Sequence, residues 1–140
     1  MQQLFQYAAN NFWLVAAAAL MLVLVAGYEF RARTAASGSI GPGEAVRLMN
    51  SGAVLVDVRG REAYEAGHIS GARHVPGESI ADGAQALERF KDKPIIVYCE
   101  RGTTAGAATR QLGRLGFRHT YNLRGGLAAW RQENMPVVRQ

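Results

Sequence analysis

The chain has one cysteine, Cys99, and its setting is the feature best suited to chemistry. It follows Ile95-Ile96-Val97-Tyr98, a short β-branched and aromatic run preceded by Pro94, and this pattern predicts a buried strand. The polar stretch Glu100-Arg101-Gly102-Thr103-Thr104 comes next, and an alanine-rich helical pattern begins near Ala105. A strand, a tight loop and a helix N-terminus aim backbone N–H groups into the loop mouth. Negative charge on a sulfur held there is stabilised by those dipoles and by nearby cations, so Cys99 is the candidate nucleophile. Elsewhere in a chain a lone cysteine is usually an inert small hydrophobe. A single thiol also excludes an internal disulfide framework and a cysteine-cluster zinc site, and it leaves a dithiol redox protein without a resolving cysteine. His68, His74 and His119 lack helical i, i+4 spacing, so no metal site and no cofactor is expected.

The elements that must position Cys99 read in order along the chain. Pro42 and Glu44–Asn50 make a short helix ending near Gly52. Ala53–Val58 is a nearly continuous apolar run containing Asp57, as in a buried parallel strand. Arg61–Ala66 makes one or two helical turns. His68–Pro76 reads as a turn followed by a short strand. Ser79 is expected to cap a helix carrying Ile80, Ala84, Leu87 and Phe90 on one face. Thr104–Leu115 is a helix closed by Gly116, His119–Leu123 is a last strand, and Gly125-Gly126 opens a last helix through Trp130. Strands alternating with helices predict an α/β fold, a parallel sheet with helices on both faces. Ligands of such sheets bind beyond the carboxyl ends of the strands, where both Cys99 and Asp57 fall.

The 140 residues carry a net charge of +5 without a basic block, which argues against nucleic acid as a partner. Phe12–Tyr28 holds no charged residue and no polar face, and at ~1.5 Å per residue it covers roughly a bilayer core, on the short side. Residues 12–30 are therefore expected to form one transmembrane helix, with 1–11 a short tail, 31–41 a linker (Thr34–Gly41 its small, polar part) and 42–140 the folded domain. A cleaved secretory signal fits less well, because no Lys or Arg precedes the run. A buried core helix is the third reading. Arg31 and Arg33 follow the run, with Arg47 a little further on. The positive-inside rule then puts the domain in the cytoplasm and the N-terminus outside, single-pass in the inner (cytoplasmic) membrane.

Three segments in order give the domain a resemblance. LVDVRGREAYEAGHISGARHVP resembles the Asp-x-Arg and Gly-His-Ile-x-Gly-Ala-x-His-Ile-Pro segments of the rhodanese-like family. VYCERGTTA resembles its active-site loop, and LRGGLAAW its Gly-Gly-x-x-Ala-Trp signature. The match covers nearly all of Ser39–Val137. It implies a sulfurtransferase in which Cys99 takes sulfane sulfur from a small anionic donor such as thiosulfate and passes it, as a persulfide, to a thiol or cyanide acceptor. It also implies that Glu100, Arg101, Gly102, Thr103 and Thr104 form the persulfide loop. Arg101 would draw in the donor, with Asp57, Arg59, His74, Gly125 and Gly126 in support. His68, Arg61, Arg124 and Trp130 are expected to be structural or solvent-facing. Glu100 would oppose an anionic donor if it faced inward, so it is expected to face outward. Phosphatases on this scaffold use a longer loop with arginine six places after cysteine. Here that place is Ala105, which argues against them. The competing reading is a membrane-tethered binding module that recruits an unidentified membrane or cytosolic protein with little catalysis. The retained cysteine favours the enzyme.

Overall fold

The computed structural model describes the chain except residues 36–37 and, for side chains, residues 4, 5 and 29–35. It divides into two units, Met1–Ala36 and Ser37–Gln140.

In the first unit the expected tail is a helix, α1 (Gln2–Asn10), built from good helix formers and ended where the Asn11 amide donates to the Tyr7 carbonyl at 2.8 Å. Helix α2 spans Phe12–Ala35. Its apolar side chains face outward, with Leu14, Leu20, Leu22 and Val23 each 61–70 % exposed. Among the described residues no helix is long and apolar enough to cross a membrane, so the expectation of a transmembrane helix at 12–30 is not supported by the fold. The charge-free stretch Phe12–Tyr28 covers only ~25 Å at helical rise, against ~30 Å of hydrocarbon. Phe30, Arg31 and Arg33 belong to α2, which runs into the expected 31–41 linker as far as Ala35; their side chains lie outside what is described.

The second unit is a five-stranded parallel sheet in the order β1-β6-β5-β2-β4. Its strands are β1 (Ser39–Ile40), β2 (Val54–Asp57), β4 (Arg73–His74), β5 (Ile95–Tyr98) and β6 (Thr120–Leu123). β3 (His68–Ile69) and β7 (Val137–Val138) form a separate antiparallel pair. The helices are α3 (Pro42–Asn50), α4 (Arg61–Ala66), α5 (Ile80–Leu87), α6 (Thr103–Arg114) and α7 (Gly126–Gln132). Ser39-Ile40, read from sequence as linker, pairs with Asn122-Leu123 as an edge strand. Ser79 sits at the start of α5 without a side-chain capping bond, because a 3-10 turn over Gly77–Ser79 leads straight into the helix.

Alternation along the central strands sends side chains into two cores. Val56, Ile95 and Val97 pack with Ile80, Leu87, Ala105, Ala108 and Leu112, against α5 and α6. Leu55, Ile96 and Tyr98 pack with Ala45, Leu127 and Trp130, against α3 and α7. The chain leaves β2 toward β4 on one side and returns as β5 on the other. The crevice between the carboxyl ends of β2 and β5 is thus the switch point at which such sheets bind ligands.

Candidate active site

Cys99 is the residue after β5 and continues its alternation, so its side chain falls with Val97 and Ala105 in the core under α6. It is 5 % exposed and its thiol is free. The Gly102 N–H donates to Cys99 Sγ at 3.0 Å. Helix α6 begins at Thr103, one residue before the predicted start at Thr104, and its first turn has no acidic residue. The positive end of a 12-residue helix therefore lies beside the sulfur.

The loop is tight because Gly102 takes φ +93, a left-handed conformation that a side chain would strain. Its carbonyl accepts the Asn122 side-chain amide at 3.0 Å. Behind the loop, Leu127 N–H donates to the Cys99 carbonyl and Ala128 N–H to the Glu100 carbonyl, both at 2.9 Å. This contact explains the paired glycines. A Cβ on Gly126 would stand 2.3 Å from Cys99 O and 2.7 Å from Glu100 C, and one on Gly125 would meet Ala129 Cβ at 2.6 Å.

The end of β2 supplies the neighbouring cation. Asp57 is fully buried, and its Oδ1 accepts the Arg59 main-chain N–H at 2.9 Å. Arg59 Nε donates to both carboxylate oxygens at 3.1 Å, while Nη2 donates to Asp57 Oδ2 at 2.8 Å and the Gly67 carbonyl at 2.6 Å. Burial opposes the charge on Arg59, but the Asp57 and Glu100 carboxylates outweigh it and hold the guanidinium above its ordinary range. Burial, helped by the nearby Asp57 charge, pushes the Tyr98 phenol well above its usual value, and its oxygen accepts the Ile69 N–H at 3.1 Å. The His74 Nε2–H reaches the Arg59 carbonyl at 2.8 Å while its ring stacks on Tyr64, so His74 braces the Arg59 loop and does not face the thiol. His68 stacks on the same tyrosine. Arg61 pairs with Glu65 on the surface, and Arg124 donates to the Ser39 carbonyl, so neither lies in the site.

A cavity of about 220 Å³ opens over Cys99, lined by Val58, Arg59 and the loop residues Glu100, Arg101, Thr103 and Thr104. It suits a small anion or the end of a thiol better than a large cofactor. Glu100 is among the residues lining this cavity, its half-exposed carboxylate held between two arginines. Its Oε2 accepts Arg59 Nη1 at 3.0 Å and its Oε1 accepts Arg131 Nη1 at 3.3 Å. Arg131 and Asn122 are site residues that sequence reasoning missed. Each pairs with the loop only through the fold, and nothing local marks either. Among the described residues no cluster of His, Cys, Asp or Glu could hold a metal ion.

Comparison with known proteins adds to this geometry. The rhodanese-like domain family model matches residues 41–133. "Uncharacterized protein YibN" of Escherichia coli K12 is 36 % identical over 141 residues, covering 99 % of each chain. "Thiosulfate sulfurtransferase GlpE" of Pseudomonas fluorescens is 42 % identical over 92 residues, which is 66 % of this chain and 83 % of GlpE. The crystal structure of the BH2092 protein from Bacillus halodurans superposes with a TM-score of 0.66 at 31 % identity, covering 81 % of this chain and 84 % of that one.

Proposed function

The chain belongs to the rhodanese-like domain family, and from that premise we propose that it is a sulfurtransferase working through a persulfide on Cys99. The observation that carries this reading is the sulfur seated at the start of α6, with the Gly102 N–H on Sγ at 3.0 Å and a small cation-rimmed cavity above it. The Cys99 thiolate attacks the outer sulfur of a donor such as thiosulfate. A new S–S bond forms, the bond between the donor's two sulfurs breaks, and sulfite leaves with that electron pair. An acceptor such as cyanide then attacks the terminal sulfur, thiocyanate departs, and the Cys99 thiolate returns. The helix end and the Gly102 N–H stabilise the negative sulfur in both steps. Arg101 steers the anionic donor, and the Thr103 and Thr104 hydroxyls stand at the cavity wall. The test is thiocyanate production by the purified full-length protein, and absence of turnover with every sulfane donor tried would overturn the reading.

The same proposal attaches the domain to the inner membrane, facing the cytoplasm, through α2. Its support is an apolar surface on every side of Phe12–Tyr28, which water does not favour. Fractionation should leave the full-length protein with carbonate-washed membranes, and a C-terminal reporter should be active in the cytoplasm. Release into the soluble fraction, or a reporter active only outside, would overturn the attachment or its orientation respectively.

A further inference from the structure

Arg59 has five N–H donors in a fixed fork. Four bonds to Asp57 and Gly67 occupy Nε and Nη2, so only Nη1 remains for the cavity, and Nη1 already donates to Glu100 Oε2 at 3.0 Å. The other oxygen of the same carboxylate takes Arg131 Nη1 at 3.3 Å. Glu100 thus sits where an anion bridging the two guanidinium groups would sit. It is covalently next to the nucleophile and among the residues lining its cavity. The contact is asymmetric in burial. The Arg59 side chain is 7 % exposed, whereas those of Glu100 and Arg131 are 49 % and 50 % exposed. The cation is therefore fixed, and its anionic partner is the movable member.

We infer that the Glu100 carboxylate is a built-in occupant of the anion subsite formed by Arg59 and Arg131, and that it sets donor selectivity against small dianions and toward organic persulfides. The inference rests on the sulfurtransferase reading and concerns which donor that site prefers. A dianion such as thiosulfate has to displace Glu100 or approach beside its charge, with Arg101 as the remaining cation of the cavity wall. A hydropersulfide, R–S–SH, carries at most one negative charge on its sulfur pair, against two on thiosulfate, so Glu100 opposes it less. Attack by the Cys99 thiolate forms Cys99–S–SH and expels the thiolate R–S⁻, so atoms and charge balance.

The experiment uses the full-length protein and follows sulfur addition to Cys99 by mass spectrometry, with thiosulfate and with cysteine hydropersulfide as donors. Glu100→Gln and Glu100→Ala should both lower the half-saturating thiosulfate concentration about tenfold, since each removes one like charge near the donor, and Glu100→Ala also frees Nη1 of Arg59. The gain with hydropersulfide should be smaller than the gain with thiosulfate, because a change in local charge acts most on the more highly charged donor. Glu100→Asp, which keeps the charge, should stay close to wild type with thiosulfate. The main-chain carbonyl of Glu100 keeps its bond to the Ala128 N–H in these variants, so the loop stays seated on α7 when the side-chain bond to Arg131 is lost. An unchanged or raised thiosulfate requirement in Glu100→Gln would overturn the inference, and so would an equal gain with both donors. Labelling of the wild type alongside either result leaves the sulfurtransferase reading standing. Failure of the wild type to label with both donors removes that reading and this one together.

Discussion

Two neighbouring strands end at the same sheet edge and put their terminal residues to opposite uses. β2 ends in Asp57, fully buried and bonded to Arg59. β5 is followed by Cys99, whose sulfur lies at the floor of an open cavity and is held by a main-chain N–H. Asp57 lies in register with Tyr98, so it projects to the face opposite Cys99. One end is sealed and positions a cation, and the other is reachable and carries the reacting atom. A parallel sheet thus separates the structural charge from the chemical one by a single step of alternation. The contrast also says how each end should fail. Damage at Cys99 should remove activity and spare the fold, while damage at Asp57–Arg59 should weaken the fold first.

The largest effect belongs to the thiol. Cys99→Ser should reduce sulfur transfer by about 10³-fold or more, because the nucleophile is lost and only binding remains. Its thermal midpoint should stay within a few degrees of wild type, read by circular dichroism. Arg59→Leu reverses that balance. It leaves Asp57 buried without its partner and should destabilise the domain by about 3–5 kcal/mol, measured by urea unfolding. A loss below 1 kcal/mol would mean that the β2 end is not the sealed element described here. Between the two ends lies the glycine contact that seats the loop. Gly126→Ala drives a Cβ into the Cys99 and Glu100 main chain and should cost about 2–4 kcal/mol, with activity falling as the loop is displaced.

The smallest effect is a dependence on pH. Tyr98 keeps its proton in the folded protein well above its ordinary value, whereas in the unfolded chain it loses that proton near pH ~10. Above that pH the unfolded state binds fewer protons, so stability falls as pH rises, by up to ~1.4 kcal/mol per pH unit. Tyr98→Phe should flatten that alkaline slope while lowering stability at neutral pH, since the Ile69 N–H loses its acceptor. An unchanged slope would contradict the burial argument for this end of β5.

Much of this edge was legible in sequence because its signals are local. The apolar runs before Asp57 and Cys99, the glycine at Gly102 and the pair Gly125-Gly126 each mark a constraint carried by a few adjacent residues. Other features were not legible. Ser39-Ile40 and Val137-Val138 are strands of two residues, too short to show a period, and only their partners make them strands. Arg131 meets Glu100 across 31 positions of chain, and Asn122 meets Gly102 across 20. Such pairs exist because α7 and β6 pack against the loop, which no local pattern announces. The N-terminal run was legible as apolar and helical, and at 12–30 the structure supports the helix but not a membrane span. Helix α1 was not legible because Gln2–Asn10 has no side-chain N-cap and no charged side chain at either end to mark a helix, only the propensity of its residues.

The central claim is that sulfur is carried on Cys99. The most direct measurement is peptide mapping by mass spectrometry after incubating the full-length protein with a sulfane donor and quenching before an acceptor is added. The account predicts one added sulfur atom, confined to the peptide containing Cys99 and removed by cyanide. A protein that turns over sulfur with Cys99 unmodified, or that never acquires the added sulfur with any donor, would contradict it.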